Sequence, residues 1–333
     1  MNLLETLLST NDYLLADGGM GTMLMSAGLE QGNSPEAWNV LYPRRIRAIH
    51  RGYIEAGARI ILTNSFGGTH FRLKLHDLQD QVFELNRAAA ELARAEADAA
   101  DHPIVVAGSI GPSGEILQPV GALSFEEARA GFAKQAAGLV AGGVDVLWIE
   151  TMSDLNEVRA AVEGIRSLPT PPLPVVTTMT FDTNGRTMMG VTPVQALTTL
   201  RCLEPLALGG NCGNGPAEIE GVVQAMYAAD QSSGLRATPL VAKSNAGIPE
   251  YSNGELRYNG TPAVMARHAV RVRDYGASII GACCGSTPAH LQAMAAALAS
   301  TPINRTVMES ALAASNRPVA AGRPRSRRRQ RKE

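Results

Sequence analysis

The sequence predicts a single (β/α)8 barrel whose active site lies at the C-terminal face of its strands. Two observations carry this. Eight short apolar, β-branched runs alternate with longer segments of helical spacing along the 333 residues. The unusual residues then recur where those runs end: Asp17-Gly-Gly, Thr63-Asn-Ser-Phe-Gly-Gly, Gly108-Ser-Ile-Gly-Pro, Glu150-Thr, Gly210-Asn-Cys-Gly, Lys243-Ser-Asn-Ala-Gly and Gly281-Ala-Cys-Cys-Gly. A closed barrel gathers all strand ends on one face, where active sites are built. An open doubly wound sheet, the alternative, would spread them along a line. The first of these turns, Asp17-Gly-Gly-Met-Gly-Thr, also lacks the GxGxxG order of a dinucleotide site.

The strands are expected at residues 13–17, 59–64, 104–109, 145–150, 174–180, 206–211, 240–244 and 278–283. A helix is expected over 35–56, with Ser34 as its N-cap and Pro35 in its first turn. The stretch 88–99 is rich in strong helix formers. Ser124-Phe-Glu-Glu is a capping box opening another helix. Further helices start at Ser153, Thr192, Pro216, Thr261 and Thr287. The barrel is expected to occupy residues 1–305, followed by a basic, disordered extension over 306–333.

Composition narrows the function classes. Hydrophobic residues make up 45% of the chain, enough for a large core, yet no apolar run reaches membrane-spanning length. The N-terminus lacks the basic and apolar regions of a secretory signal. Four cysteines are too few for a disulfide framework, so a cytoplasmic, reducing setting is expected. Net charge is −1, but residues 317–333 carry seven arginines, one lysine and one glutamate, a net of +7. Subtracting +7 from −1 leaves the body near −8. That tail has no aromatics and meets no basic groove, so it reads as a solvated extension rather than a nucleic-acid arm. Neither nucleic acid nor membrane is an expected partner.

Cys212 and the adjacent Cys283 and Cys284 follow two different strands, each flanked by glycines that allow sharp turns. Free cysteines are commonly small buried hydrophobes, and neighbours on a regular strand point to opposite faces. A vicinal disulfide is a strained alternative. If the strand has ended at Cys283, both sulfurs can meet Cys212 around one ion. Three thiolates leave one tetrahedral position of zinc open, a catalytic layout suited to activating another thiol. Cys202, in a helical context, is expected in the core.

Asp17 and Glu150 end apolar strands and should project into the barrel mouth. There they act as an acid–base pair, grip a cationic amine, cap the helix that follows, or pair with a barrel lysine, Lys243 being a candidate interior ion-pair partner. Backbone donors at Gly108-Ser109, Asn64-Ser65 and Asn211 could hold a carboxylate or simply make turns. His70, His76 and His102 have no second ligand at useful spacing, and Met20, Met23 and Met25 read as packing residues.

With these motifs assembled, the chain resembles the zinc-dependent homocysteine S-methyltransferase family. That family includes the betaine–homocysteine methyltransferases and the homocysteine module of cobalamin-dependent methionine synthase. The likeness runs over about residues 13–298, resting on Asp17-Gly-Gly, Glu150, Asn211-Cys-Gly and Gly-Cys-Cys-Gly. Leu62-Thr-Asn-Ser-Phe-Gly-Gly-Thr, Asp145-Val-Leu-Trp-Ile-Glu-Thr-Met-Ser and Phe181-Asp-Thr-Asn-Gly-Arg-Thr-Met-Met-Gly are most similar to the bacterial betaine–homocysteine S-methyltransferases.

The resemblance implies a (β/α)8 barrel with Zn2+ on Cys212, Cys283 and Cys284 and the homocysteine sulfur in the fourth position. It places the substrate amino group on Asp17, Gly18 and Glu150, and the carboxylate on backbone near Gly108 and Ser109. It implies no catalytic side chain beyond the zinc-activated thiol. Betaine is the implied donor, giving methionine and dimethylglycine. Gly67 and Thr151 stand where the animal betaine enzymes carry tyrosines, so a cage for betaine would draw on Phe66, Trp148 or Tyr251 instead. S-methylmethionine, or a corrinoid- or folate-bound methyl group brought by a partner protein, is the alternative donor. A zinc-stabilised RNA-binding protein is the non-enzyme alternative. Partners are otherwise small-molecule substrates, with homo-oligomerisation left open.

Overall fold

A computed structural model of the chain describes residues 2–169, 173–182, 184–235, 237–252, 255–304 and 306. The basic tail beyond 306 lies outside them. Ten strands are defined, in chain order β1 (Leu14–Leu15), β2 (Ile60–Leu62), β3 (Val105–Ile110), β4 (Val146–Met152), β5 (Val175–Met179), β6 (Ala207–Cys212), β7 (Leu240–Ser244), β8 (Pro249–Ser252), β9 (Glu255–Tyr258) and β10 (Ala277–Ala282). Eight of them form one parallel sheet in the order β1-β10-β7-β6-β5-β4-β3-β2. A parallel bridge between Ala16 and Ile60 joins its two edges, so the sheet closes into the expected (β/α)8 barrel.

Side-chain alternation along the strands builds two layers. Leu14, Ala16, Ile60, Leu62, Val105, Ala107, Val146, Trp148, Val176, Ala207, Val241 and Ile279 fill the barrel interior. The residues between them, such as Ile61, Val106, Leu147 and Ile280, face the outer helices. Helix α1 (Leu3–Thr10) drives Leu4 and Leu7 into the N-terminal end of that interior. Its start is fixed by an Asn2–Glu5 capping box, with the Glu5 amide 2.9 Å from Asn2 Oδ1. Residues 2–10 thus form a plug that the sequence pattern did not suggest.

The outer helices are α2 (Met20–Ser26), α3 (Trp38–Leu41), α4 (Pro43–Glu55), α5 (His70–Leu73), α6 (Val82–Asp98), α7 (Phe125–Ala141), α8 (Leu155–Arg166), α9 (Pro193–Arg201), α10 (Pro216–Ser232), α11 (Pro262–Asp274) and α12 (Pro288–Ser300). The expected capping box at Ser124–Glu127 is present, and Thr192 and Thr261 cap as expected. The helix expected over 35–56 is instead two, α3 and α4. Tyr42 leaves helical backbone at φ −135° because Pro43 follows it, and Pro43 opens α4. Cys202 is exposed at the C-cap of α9, not in the core, because α9 ends there and turns the side chain outward. The β8–β9 hairpin, also unforeseen, lies beyond β7 at the active face. Among the described residues no helix is long and apolar enough to cross a membrane.

Candidate metal centre and substrate pocket

Strand alternation carries three polar side chains onto the barrel axis. Ser109, Glu150 and Lys243 each stand two residues beyond an interior residue, namely Ala107, Trp148 and Val241. They line the floor of a cavity of about 280 Å³ with Asp17, Cys212, Cys283 and Cys284. Gly108, at the opposite parity, faces the helices, where a Cβ would lie 3.1 Å from Leu139 and Leu147. Gly108 does not line the cavity.

The three sulfurs of Cys212, Cys283 and Cys284 all lie within 4.8 Å of one another. Two local features bring them together. By alternation Cys212 would follow Asn211 and point outward. Its left-handed backbone, φ +64°, redirects it. Strand β10 ends at Ala282, so Cys283 and Cys284 stand on a turn and are freed from opposite faces. That turn is bolted to the Gly18-Gly19 loop. The Ser286 hydroxyl donates to the Cys283 carbonyl at 2.7 Å and accepts the Gly19 amide at 2.9 Å. A Cβ on Gly18 would lie 2.5 Å from Ser286 Oγ, so only glycine permits this approach.

The donor set fits a soft divalent cation. Hydrogen bonds from Cys212 and then Cys283 pull the Cys284 thiol down to about 3. Cys212, hydrogen-bonded to Cys283 and Cys284 and buried, is pushed far up. The trio alone thus holds its first negative charge easily and resists the rest, so a cation is what would let all three sulfurs ionise. Tyr258 hydrogen-bonds Cys284, and its ring covers Gly285, where a Cβ would lie 2.1 Å away.

Lys243 Nζ donates to Asp17 Oδ1 at 2.7 Å, and both side chains are 2% exposed. The other Asp17 oxygen accepts the Leu62 amide at 2.7 Å. Burial opposes the charge on Lys243, but the Asp17 and Glu150 carboxylates outweigh it and raise its affinity for the proton. One lysine cannot neutralise two carboxylates. Glu150, whose Oε1 accepts the Ser109 hydroxyl, is pushed up by burial to about 7 against the pull of Lys243. The Ser109 amide is already spent on Thr63 Oγ1 at 2.9 Å, so Ser109 supports Glu150 rather than offering a backbone donor. The Gly18, Asn64 and Phe66 amides around the same cavity donate to no acceptor among the described residues.

A homocysteine S-methyltransferase family model matches residues 14–298. The chain belongs to the homocysteine S-methyltransferase family. It is similar to methionine synthase of Mycobacterium leprae (strain TN), at 33% identity over 313 residues, covering 90% of this chain and 25% of that protein. Methionine synthase of Mycobacterium tuberculosis (strain ATCC 25618 / H37Rv) is 33% identical over 301 residues, covering 86% of this chain and 24% of that protein. The chain therefore spans about a quarter of the length of these relatives. Among solved structures it is similar to the oxidized form of the homocysteine methyltransferase MmuM from Escherichia coli. The TM-score is 0.74 at 27% identity, over 89% of this chain and 99% of that one. The metallated form gives 0.73 at 26% identity, over 88% and 99%.

Within this family member, Phe66 lines the pocket mouth at 38% exposure. Trp148 does not join it. It is fully buried one layer down, with Lys243 Nζ 5.6 Å above its ring. The Tyr251 side chain lies outside what is described. Sequence reasoning missed Glu36 and Arg72, both in the pocket wall. Each sits in a stretch that reads locally as ordinary helix or turn. The role of Asn211, which bonds Thr151, was equally hidden.

Proposed function

We propose that this chain transfers a methyl group to the thiolate of homocysteine, giving methionine, with betaine as donor and dimethylglycine as second product. The supporting observation is the meeting of three cysteine sulfurs beside two buried carboxylates and a lysine in one cavity. Cys212, Cys283 and Cys284 would hold Zn2+, which when bound supplies a Lewis acid that keeps an added thiol deprotonated at neutral pH. Glu150, the carboxylate without a full countercharge, receives the substrate ammonium, while Lys243 and the Leu62 amide hold Asp17 rigid alongside it. The unspent amides of Gly18, Asn64 and Phe66 suit the substrate carboxylate.

The thiolate lone pair forms the new S–C bond as the C–N bond breaks, and the departing electron pair stays on nitrogen. A neutral amine leaves, so no general acid is required, and the pocket's task is in-line positioning. The trio must stay reduced, which fits a cytoplasmic setting. We take residues 1–305 as the functional unit, since Arg273 ties Leu298, Thr301 and Pro302 carbonyls to the barrel at 3.2, 2.6 and 3.0 Å.

The test is methionine formation from homocysteine with betaine, S-methylmethionine and methylcobalamin supplied side by side. Product with betaine, matched by dimethylglycine, is expected. Turnover with another donor and none with betaine would overturn the donor assignment.

A further inference from the structure

Three side chains in the pocket wall stand apart from the sulfurs and from the Asp17–Lys243–Glu150 group. Glu36 is 5% exposed, accepts the Gly67 amide at 2.7 Å and the Ser34 hydroxyl at 3.0 Å, and forms no ion pair with a described residue. Arg72 has no hydrogen-bonded or ionic partner for its guanidinium among the described residues. It lies along Gly114, where a Cβ would come within 2.9 Å of Nη1 and 3.1 Å of Cδ. The Phe66 ring lies against Gly111, where a Cβ would come within 2.7 Å. A Cβ on Gly67 would stand 2.9 Å from Glu36 Oε1, so glycine at 67 is what admits that carboxylate. Among the described residues, the wall thus carries a buried carboxyl group with no basic side chain bound to it, an aromatic face, and a guanidinium with no acidic partner.

We propose that Glu36, Phe66 and Arg72 form the methyl-donor subsite and select a zwitterion: an onium head on Phe66 and Glu36, and a carboxylate on Arg72. This rests on the methyl-transfer reading above and deepens it. A quaternary onium group has no N–H to donate, so only a ring face and a nearby negative charge can recognise it. A carboxylate is matched by the planar fork of a guanidinium. A buried carboxylate lacking a countercharge gains most from an incoming cation. The onium charge disappears as the methyl leaves, so Glu36 favours bound donor over transition state.

The experiment uses the zinc-loaded full chain, with steady-state kinetics and calorimetric titration of betaine and of tetramethylammonium, an onium without a carboxylate. Arg72→Met should raise the betaine KM and Kd roughly ten- to hundredfold, leaving the tetramethylammonium Kd, the homocysteine KM and the zinc content unchanged. Arg72→Lys should restore part of the loss. Glu36→Gln should weaken both cations, raising donor KM with kcat held or increased. An unchanged betaine Kd in Arg72→Met, or equal losses for betaine and tetramethylammonium, would overturn the subsite. Cobalt-substituted protein separates this from the underlying reading. If its absorption band responds to homocysteine while the wild-type chain binds neither betaine nor S-methylmethionine, the subsite fails alone. If homocysteine gives no response, both readings fail.

Discussion

Asn211 holds Thr151 with both ends of its amide: Oδ1 accepts the Thr151 N–H at 2.8 Å and Nδ2 donates to Thr151 Oγ1 at 2.7 Å. Thr151 is a β-branched residue at φ +62°, and Cys212, next to Asn211, is at φ +64°. Non-glycine residues in this region cost on the order of 1–3 kcal/mol each and persist where their surroundings enforce them. One side chain therefore braces the strained end of β4 and the sulfur-bearing end of β6. Asn211→Ala should destabilise the fold by about 2 kcal/mol in urea denaturation and weaken metal retention. Asn211→Asp keeps the acceptor and should fall between. Wild-type stability in the alanine variant would contradict this bracing.

Serine at Cys212, Cys283 or Cys284 is expected to lower bound zinc from about one per chain to near zero and to abolish methylation. The barrel's apolar layers do not depend on the metal, so far-UV circular dichroism should be unchanged. Metal analysis after exhaustive dialysis decides the matter. A variant that keeps full zinc removes that cysteine from the ligand set.

Glu150 predicts a pH dependence of uncommon sign. Its folded pKa of about 7 lies above the ordinary 4.5. Between those values the folded chain keeps a proton that the unfolded chain releases. The stability linked to this group is complete below pH 4.5 and is lost as pH rises through 7. Glu150→Gln should therefore stabilise the metal-free protein above that pH by roughly 2–3 kcal/mol. The same change should raise the homocysteine KM. In the wild-type chain that KM should fall as pH rises through the folded pKa, and in the variant this inflection should vanish. Denaturation curves at pH 5 and 8 with parallel kinetics check both signs.

Asp17 and Lys243 should behave as one unit. Removing Lys243 alone (Lys243→Met) leaves a buried carboxylate uncompensated, at a cost of about 3–5 kcal/mol. Asp17→Asn combined with Lys243→Met should cost well under the sum of the single changes, and a double-mutant cycle measures that coupling. Additive effects would mean that the 2.7 Å contact contributes no mutual stabilisation.

What could be read from the chain itself followed from short-range rules. Alternation two residues beyond Ala107, Trp148 and Val241 puts Ser109, Glu150 and Lys243 on the interior face, and glycine-flanked strand ends mark the active face. The same periodicity misled over 35–56, where apolar spacing continued across Tyr42-Pro43 although proline forces a break there. The backbone donors expected near Gly108-Ser109 were not decided by any local pattern: the Ser109 amide donates to Thr63 Oγ1 and Gly108 does not line the cavity.

The residue types at each strand end and the order of the strands were set by the sequence alone, because period and turn chemistry act within a few residues. Only the tertiary structure decided that Ala16 meets Ile60 to close the sheet and that Cys212 reaches the Cys283–Cys284 turn. Only it assigned Lys243 to Asp17 and brought Glu150, Glu36 and Arg72 into one cavity without full countercharges among the described residues. Those outcomes depend on which distant side chains share a small buried volume, where charge pairing and desolvation act across the barrel rather than along the chain.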